Sequence, residues 1–248
     1  MFTAGLGEAL ASAKRADFCV GYFNLRGWGE VAEGVEALAG DTVLEQGEEK
    51  MRFCRLLVGM NEKPQDILLK HYGLKKDFQI DQGEAARLKR RMAEEFRDQL
   101  TIGAPTNADE AALRVLSRQM KAGKAAVKLH LRYNLHAKLY LAYQKSGHTK
   151  IEGYVGSSNL TFAGLVKQGE LNVDVLEQDA AAKLAAWFDE RWNDRWCFDI
   201  TKELIEIIDT SWAREEPVPP YHIYLKIAYH LSREARAGIN EFKLPKVF

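Results

Sequence analysis

The sequence predicts an α/β layer fold, and three observations predict it. Strand-like and helix-like runs alternate through the first half, as they do in a sheet covered by helices. Four more strand-like segments crowd between residues 126 and 176, with an amphipathic helix directly after them. The length of 248 residues is enough to bury the core of one large domain, or of one domain with an appendage.

Residues 1–14 read as a short helix. Residues 17–23 (DFCVGYF) are apolar and flanked by polar residues, which predicts a buried strand. Gly27 and Gly29 precede a helix to about Leu38, with Val31, Val35 and Leu38 on one face. Residues 52–59 (RFCRLLVG) are a second strand, and a short helix is expected after Pro64. Leu88, Met92, Phe96 and Leu100 recur every four residues and give the helix 83–100 one apolar stripe. Asn107, with Glu110 three residues on, is a capping-box-like start to a helix that runs to Lys121 and ends at Gly123. Strands follow at 126–132, 136–143, 151–156 and 170–176, with a hairpin turn at 145–148. Helices follow at 179–192, burying Leu184, Trp187 and Phe188, and at 199–208. Pro217, Pro219 and Pro220 form a linker to a last amphipathic helix carrying Ile223, Ile227 and Leu231. The domain division read from this is 1–216, then 217–248 as linker and C-terminal helix, possibly leading into a further domain beyond Phe248.

Composition narrows the function. Hydrophobic residues make up 46% and charged residues 28%, which excludes a disordered chain. No apolar run approaches the roughly 18–20 residues of a bilayer span, so no membrane partner is expected. The first residues, with Glu8 inside their apolar part, do not read as a signal peptide. Cys19, Cys54 and Cys197 match neither a disulfide framework nor a metal-ligand spacing, and point to a reducing, cytoplasmic setting. Lys and Arg number 35, as do Asp and Glu, so the overall balance says nothing of nucleic acid. The distribution is less even. Residues 111–151 contain no Asp or Glu but hold Lys121, Lys124, Lys128, Arg132 and five other cations. That segment reads equally as a solvated face or as a surface tracking an anionic backbone. His130, between Lys128 and Arg132, is expected on the same face.

The chemistry concentrates between residues 136 and 170. His136 and Lys138 form H-x-K, and within a strand positions i and i+2 share a face. Gly156-Ser157-Ser158-Asn159 ends the next strand in a turn whose hydroxyl, amide and backbone donors suit an anion. Glu170 follows eleven residues after Asn159. Each piece alone is ordinary: an edge pair, a turn, a solvated carboxylate. Together they are the parts for phosphoryl transfer without a metal or cofactor. An imidazole attacks phosphorus, and an ammonium and an amide hold the equatorial oxygens.

HAKLYL, then YVGSSNLTFAGL, then ELNV resembles the phospholipase D superfamily, whose motif is H-x-K-x4-D followed by G-S-x-N and a later Glu. It is more specifically similar to the nuclease-like branch, which includes metal-independent restriction endonucleases and domains placed ahead of superfamily-2 helicases. The resemblance implies a mixed β-sheet flanked by helices on both faces. It implies His136 as nucleophile, Lys138, Asn159 and Ser157 as phosphate-binding residues, and Glu170 as the residue that orients a histidine. It also implies DNA as substrate, and a homodimer, because the family site needs two H-x-K copies and the chain has one. A helicase domain in the same parent chain is a further implied partner. The motif Asp falls on Tyr143, a departure that bears on activity. Two readings therefore stand: a DNA phosphodiesterase, and a DNA-binding module with a vestigial pocket. A phospholipid-processing enzyme is a weaker third.

Overall fold

A computed structural model describes residues 2–23, 25–59, 90–94, 107–130, 135–161, 164–165 and 170–210, together with Tyr224 and Ala228. The chain divides into the compact units Met1–Ala213 and Arg214–Phe248. Of the second, Tyr224 and Ala228 are described, both helical and exposed. The helix after Pro64, the proline linker and most of the last helix lie outside the described residues. Of the helix 83–100, residues 90–94 are described; they are helical, with Met92 and Ala93 buried.

The elements of the first unit are α1 (Phe2–Ser12), β1 (Ala13–Val20), α2 (Leu25–Ala37), β2 (Asp41–Glu45), β3 (Glu48–Arg52), β4 (Cys54–Val58), α3 (Asn107–Lys121), β5 (Ala125–His130), β6 (Leu139–Gln144), β7 (Ile151–Gly156), β8 (Asn172–Val175), α4 (Gln178–Trp192), β9 (Cys197–Asp199) and α5 (Thr201–Asp209). Seven strands form one mixed sheet in the order β8-β7-β6-β1-β4-β5-β9. β1, β4 and β5 are parallel; the remaining pairings are antiparallel.

Strand alternation divides the core in two. Phe18, Val20, Leu56, Val58, Val127, Leu129 and Tyr140 belong to a cluster with Leu6 and Leu10 of α1, Val31 and Val35 of α2, Leu116 of α3 and Leu204 of α5. Cys19, Leu57, Ala126, Leu139, Leu141 and Tyr143 face the other way, against Ala185, Phe188 and Trp192 of α4. Helices thus cover both faces, as expected. Leu184 and Trp187 pack there only half-buried.

The helix ends follow local rules. Glu177 caps α4 by accepting from the backbone N–H of Asp179 and Ala180. α3 closes in a Schellman arrangement: Gly123 N donates to Met120 O (3.0 Å) and Lys124 N to Gln119 O (2.7 Å), with Gly123 at φ 71°.

Two elements escaped the sequence reading. The β2–β3 hairpin turns at Gln46 and Gly47, both at positive φ, the two-residue turn that matches strand twist. β9 is three residues long and precedes α5. The strand expected at 52–59 accordingly splits, with Arg52 ending β3 and Cys54 opening β4.

The α4 side of the sheet also buries charge. Asp17 is fully buried and accepts from Arg55 Nε (2.7 Å), Arg55 Nη2 (2.6 Å) and Arg15 Nη1 (2.6 Å). Arg55 also reaches Asp189 on α4 (2.7 Å). Glu45 accepts from Arg52 at 3.0 and 2.7 Å and from the Trp192 indole at 2.8 Å. Burial works to raise the Asp17 pKa, but Arg55 and Arg15 outweigh it and hold the carboxyl below its ordinary range. Tyr143, at the position of the family Asp, lies in this cluster with the Arg15 guanidinium 3.6 Å from its ring centroid.

Candidate active site

The parallel strands β1 and β4 both end in Val-Gly. Gly59 N donates to Val20 O (2.9 Å), which ties the two ends together. The irregular segment 135–138, which leads into β6, lies directly against them. A Cβ at Gly59 would stand 2.5 Å from Leu135 O, and one at Gly21 would stand 3.0 Å from the same oxygen and 3.3 Å from His136 Cα. A side chain at Gly59 would force the segment to move, and one at Gly21 would press it by a few tenths of an ångström. The two glycines thereby set where the His136 backbone runs.

His136 and Lys138 are not inside a strand as expected, because β6 begins only at Leu139. Alternation therefore does not align them. Their relation is a local bond instead: Lys138 Nζ donates to His136 O (2.8 Å). The His136 side chain is exposed and Lys138 half-buried.

The remaining motif residues arrive from the neighbouring strands. Gly156 N donates to Lys138 O (3.3 Å), which seats the end of β7 beside the H-x-K segment. Ser157, exposed, donates its N–H to Leu171 O (3.0 Å) and accepts from Leu171 N at Oγ (3.1 Å). This fixes the lead into β8, and with it the half-buried Glu170. Ser158 is buried, its Oγ accepting from Asn172 Nδ2 (2.7 Å) and its carbonyl from Tyr140 OH (2.9 Å). Asn159 Oδ1 accepts from Tyr22 N (2.9 Å) and lies 3.5 Å from where a Gly21 Cβ would be. With Oδ1 committed to the backbone, the Nδ2 end keeps its donors. The turn after it is tight, since a Cβ at Gly164 would stand 2.7 Å from Asn159 O.

His136, Lys138, Ser157, Asn159 and Glu170 thus come to one end of the sheet. The reading of the sequence missed Gly21, Gly59 and the Tyr22 N–H. The repeated Val-Gly at the ends of two apolar strands was the available signal for the glycines.

The basic residues are elsewhere. Lys121 pairs with Asp209 (2.8 Å), and Lys124 donates to the carbonyls of Glu36 (2.7 Å) and Leu38 (3.3 Å) near the end of α2. Both precede β5, at the opposite end of the sheet from His136. Lys128 is buried, with Nζ donating to Trp192 O (3.0 Å), and His130 is fully buried. The expectation of one exposed basic face is corrected at Lys128 and His130, which are buried. Helices cover both faces of the sheet, so a polar alternation within β5 still faces inward. Arg132 lies outside the described residues. Among the described residues no three His, Cys, Asp or Glu side chains gather as a metal site, and no helix is long and apolar enough to cross a membrane.

An exposed imidazole, an ammonium, an amide and a hydroxyl gathered at one end of a mixed sheet are the groups a phosphodiesterase-type protein carries. Residues 9–192 match the family described as "Cardiolipin synthase, PLD-like domain", and the chain belongs to this phospholipase D-like family. Its structure is similar to that of Nuc from Salmonella typhimurium, a phospholipase D family member, with TM-score 0.42 and 12% identity over 79% of this chain and 88% of that one. It is also similar to NucT from Helicobacter pylori, with TM-score 0.42 and 8% identity over 79% and 89% of the two chains. No curated protein matches it significantly in sequence.

Proposed function

We propose that the chain is a metal-independent phosphodiesterase of the nuclease-like branch, acting on DNA through a phosphohistidine at His136 in a homodimer. One observation carries this reading: the exposed His136 imidazole stands at the same end of the sheet as Lys138, Ser157, Asn159 and Glu170. An imidazole nitrogen attacks phosphorus, a P–N bond forms and a P–O bond to the leaving sugar breaks. Lys138, with one of its three N–H groups on His136 O, keeps two for the phosphate oxygens, and Asn159 Nδ2 supplies another. The leaving oxygen takes a proton from the second subunit's imidazole. Water then attacks phosphorus, the P–N bond breaks and His136 is restored.

Two features support the reading. Tyr143 sits five residues beyond Lys138, roughly 16 Å along an extended strand, in the buried cluster with Arg15. Its replacement of the family Asp therefore takes no group from the phosphate-facing end. Beside the site, Leu171 is 75% and Val173 54% exposed, and Val155 lies opposite Val173 on the adjacent strand. An apolar patch there suits a second copy, whose His136 would complete the chemistry.

The test is cleavage of plasmid and single-stranded DNA in excess EDTA, with His136→Ala alongside. Cleavage by the wild type that the substitution abolishes is the expected result. DNA binding with no cleavage by the wild type assigns a binding module instead. Retained cleavage in the variant removes His136 as nucleophile. Sedimentation should give a dimer, and a monomer at micromolar concentration contradicts the shared site.

A further inference from the structure

Separated from β6 by β1 and β4, β5 lines with β9 and the β2–β3 hairpin an open-mouthed cavity of about 310 Å³. Its wall includes Lys50, Arg52 and Lys128, with Glu45 and Asp199 as the acids. The proposed phosphodiesterase chemistry uses none of these residues.

The hydrogen-bonding capacity of this wall is unevenly spent. Lys128 is 6% exposed and has three N–H donors, yet it makes one hydrogen bond, to Trp192 O, with its nitrogen 4.5 Å from the Trp192 ring centroid. Burial lowers its pKa, against the opposing pull of Cys197, Glu45 and Asp199. Arg52 commits Nε and Nη2 to Glu45 and keeps Nη1. Lys50 reaches Glu48, an exposed carboxylate, at 3.4 Å. The acceptors are better occupied. Glu45 takes both Arg52 bonds and the Trp192 indole, and Asp199 Oδ1 takes Thr201 N (2.9 Å). Cations outnumber acids on the wall by three to two. A buried ammonium with idle donors calls for an acceptor inside the cavity.

We propose that this cavity binds an oxyanion of the phosphate class, with Lys128 at its base and Arg52 and Lys50 at its sides. A duplex cannot reach an ammonium buried this deeply, but a free phosphate or the phosphate of a mononucleotide can. The volume lies at the lower end of small-molecule sites, which leaves space for more than a bare phosphate.

The test is calorimetric titration of the full chain with inorganic phosphate and, separately, with thymidine 5′-monophosphate at constant ionic strength. The wild type and a Lys138→Ala, Asn159→Ala double variant, which lacks the groups proposed to hold phosphate at the catalytic site, should both bind saturably at this cavity, which separates the two sites. Lys128→Met, similar in length and uncharged, should weaken binding about ten- to a hundred-fold, the range for a lost charged hydrogen bond; Lys128→Arg should restore part of it. Tighter binding of the mononucleotide identifies a phosphomonoester ligand, and equal binding identifies free phosphate; either outcome supports the site. Unsaturable binding, or binding unchanged in Lys128→Met, overturns it. The Trp192 indole N–H resonance of the wild type gives a readout that needs no variant. It should move on titration with phosphate and stay still with chloride, and a resonance unmoved by phosphate contradicts the proposal.

Discussion

The end of the sheet that carries His136 and the buried cluster around Asp17 use polar and charged side chains in opposite ways. At Asp17, three guanidinium bonds converge on one carboxylate, and Arg55 spans from there to Asp189 on α4. The charges are spent on one another. At the other end, His136 is exposed, Lys138 Nζ donates to a backbone carbonyl, and Asn159 is anchored by its oxygen. Donors there are held in position by backbone rather than by a carboxylate. The difference separates charge that stabilises from charge that can act: polar groups serve chemistry where their partners fix them without neutralising them.

Breaking each region should give a different signature. The largest effect is expected from His136→Ala. Turnover should fall by about 10³-fold or more, as for removal of a covalent nucleophile. Thermal stability should stay within about 0.5 kcal/mol, because the side chain is exposed.

Asp17→Asn should do the reverse. Arg15 loses its carboxylate partner and Arg55 is left with Asp189, which costs about 3–5 kcal/mol. At roughly 2–4 °C per kcal/mol, calorimetry should show a fall of about 10 °C, with turnover per folded molecule retained. The acid limb sharpens the comparison. The folded Asp17 pKa is held below its ordinary value, so its stabilisation is complete above about pH 4 and is lost as pH falls through the folded value. Denaturant midpoints measured downward from pH 5 should therefore fall more steeply in the wild type than in Asp17→Asn.

Gly59→Ala tests whether backbone placement carries the site. A new Cβ 2.5 Å from Leu135 O must push the His136 segment away. Turnover should drop about 10²-fold, the scale of a reactant displaced by an ångström, with DNA affinity largely kept. An equal loss of affinity would argue against positioning.

The smallest effect is expected at Lys121. Its pair with Asp209 is solvent-accessible, so Lys121→Ala should change stability by less than about 1 kcal/mol. DNA affinity across a salt series should be unmoved, since the residue lies at the far end of the sheet. A clear loss would return the nucleic-acid surface to the basic segment.

What the sequence made legible follows the range of the interactions involved. β7, α3 and α4 were readable because apolar periodicity and caps are local signals. The order of H-x-K, G-S-S-N and Glu170 was readable for the same reason. The β2–β3 hairpin was hidden because Glu45, Glu48, Glu49 and Lys50 crowd its turn and leave no apolar alternation. β9 is too short to carry a pattern. Lys128 and His130 looked exposed because a polar alternation usually marks a solvated face. That rule fails when helices cover both sides of a sheet. Gly21 and Gly59 act through contacts with residue 135, far away in sequence; the repeated Val-Gly marks the positions but not the segment that approaches them.

The central claim is that His136 becomes covalently attached to the substrate's phosphorus. It is tested most directly by quenching a short DNA oligonucleotide reaction in EDTA at alkaline pH, where a phosphoramidate bond survives, and mapping the adduct by mass spectrometry. The account predicts a nucleotide or phosphate adduct on His136 that is absent from His136→Ala. Cleavage that proceeds with no adduct, or with an adduct on another residue, would contradict it.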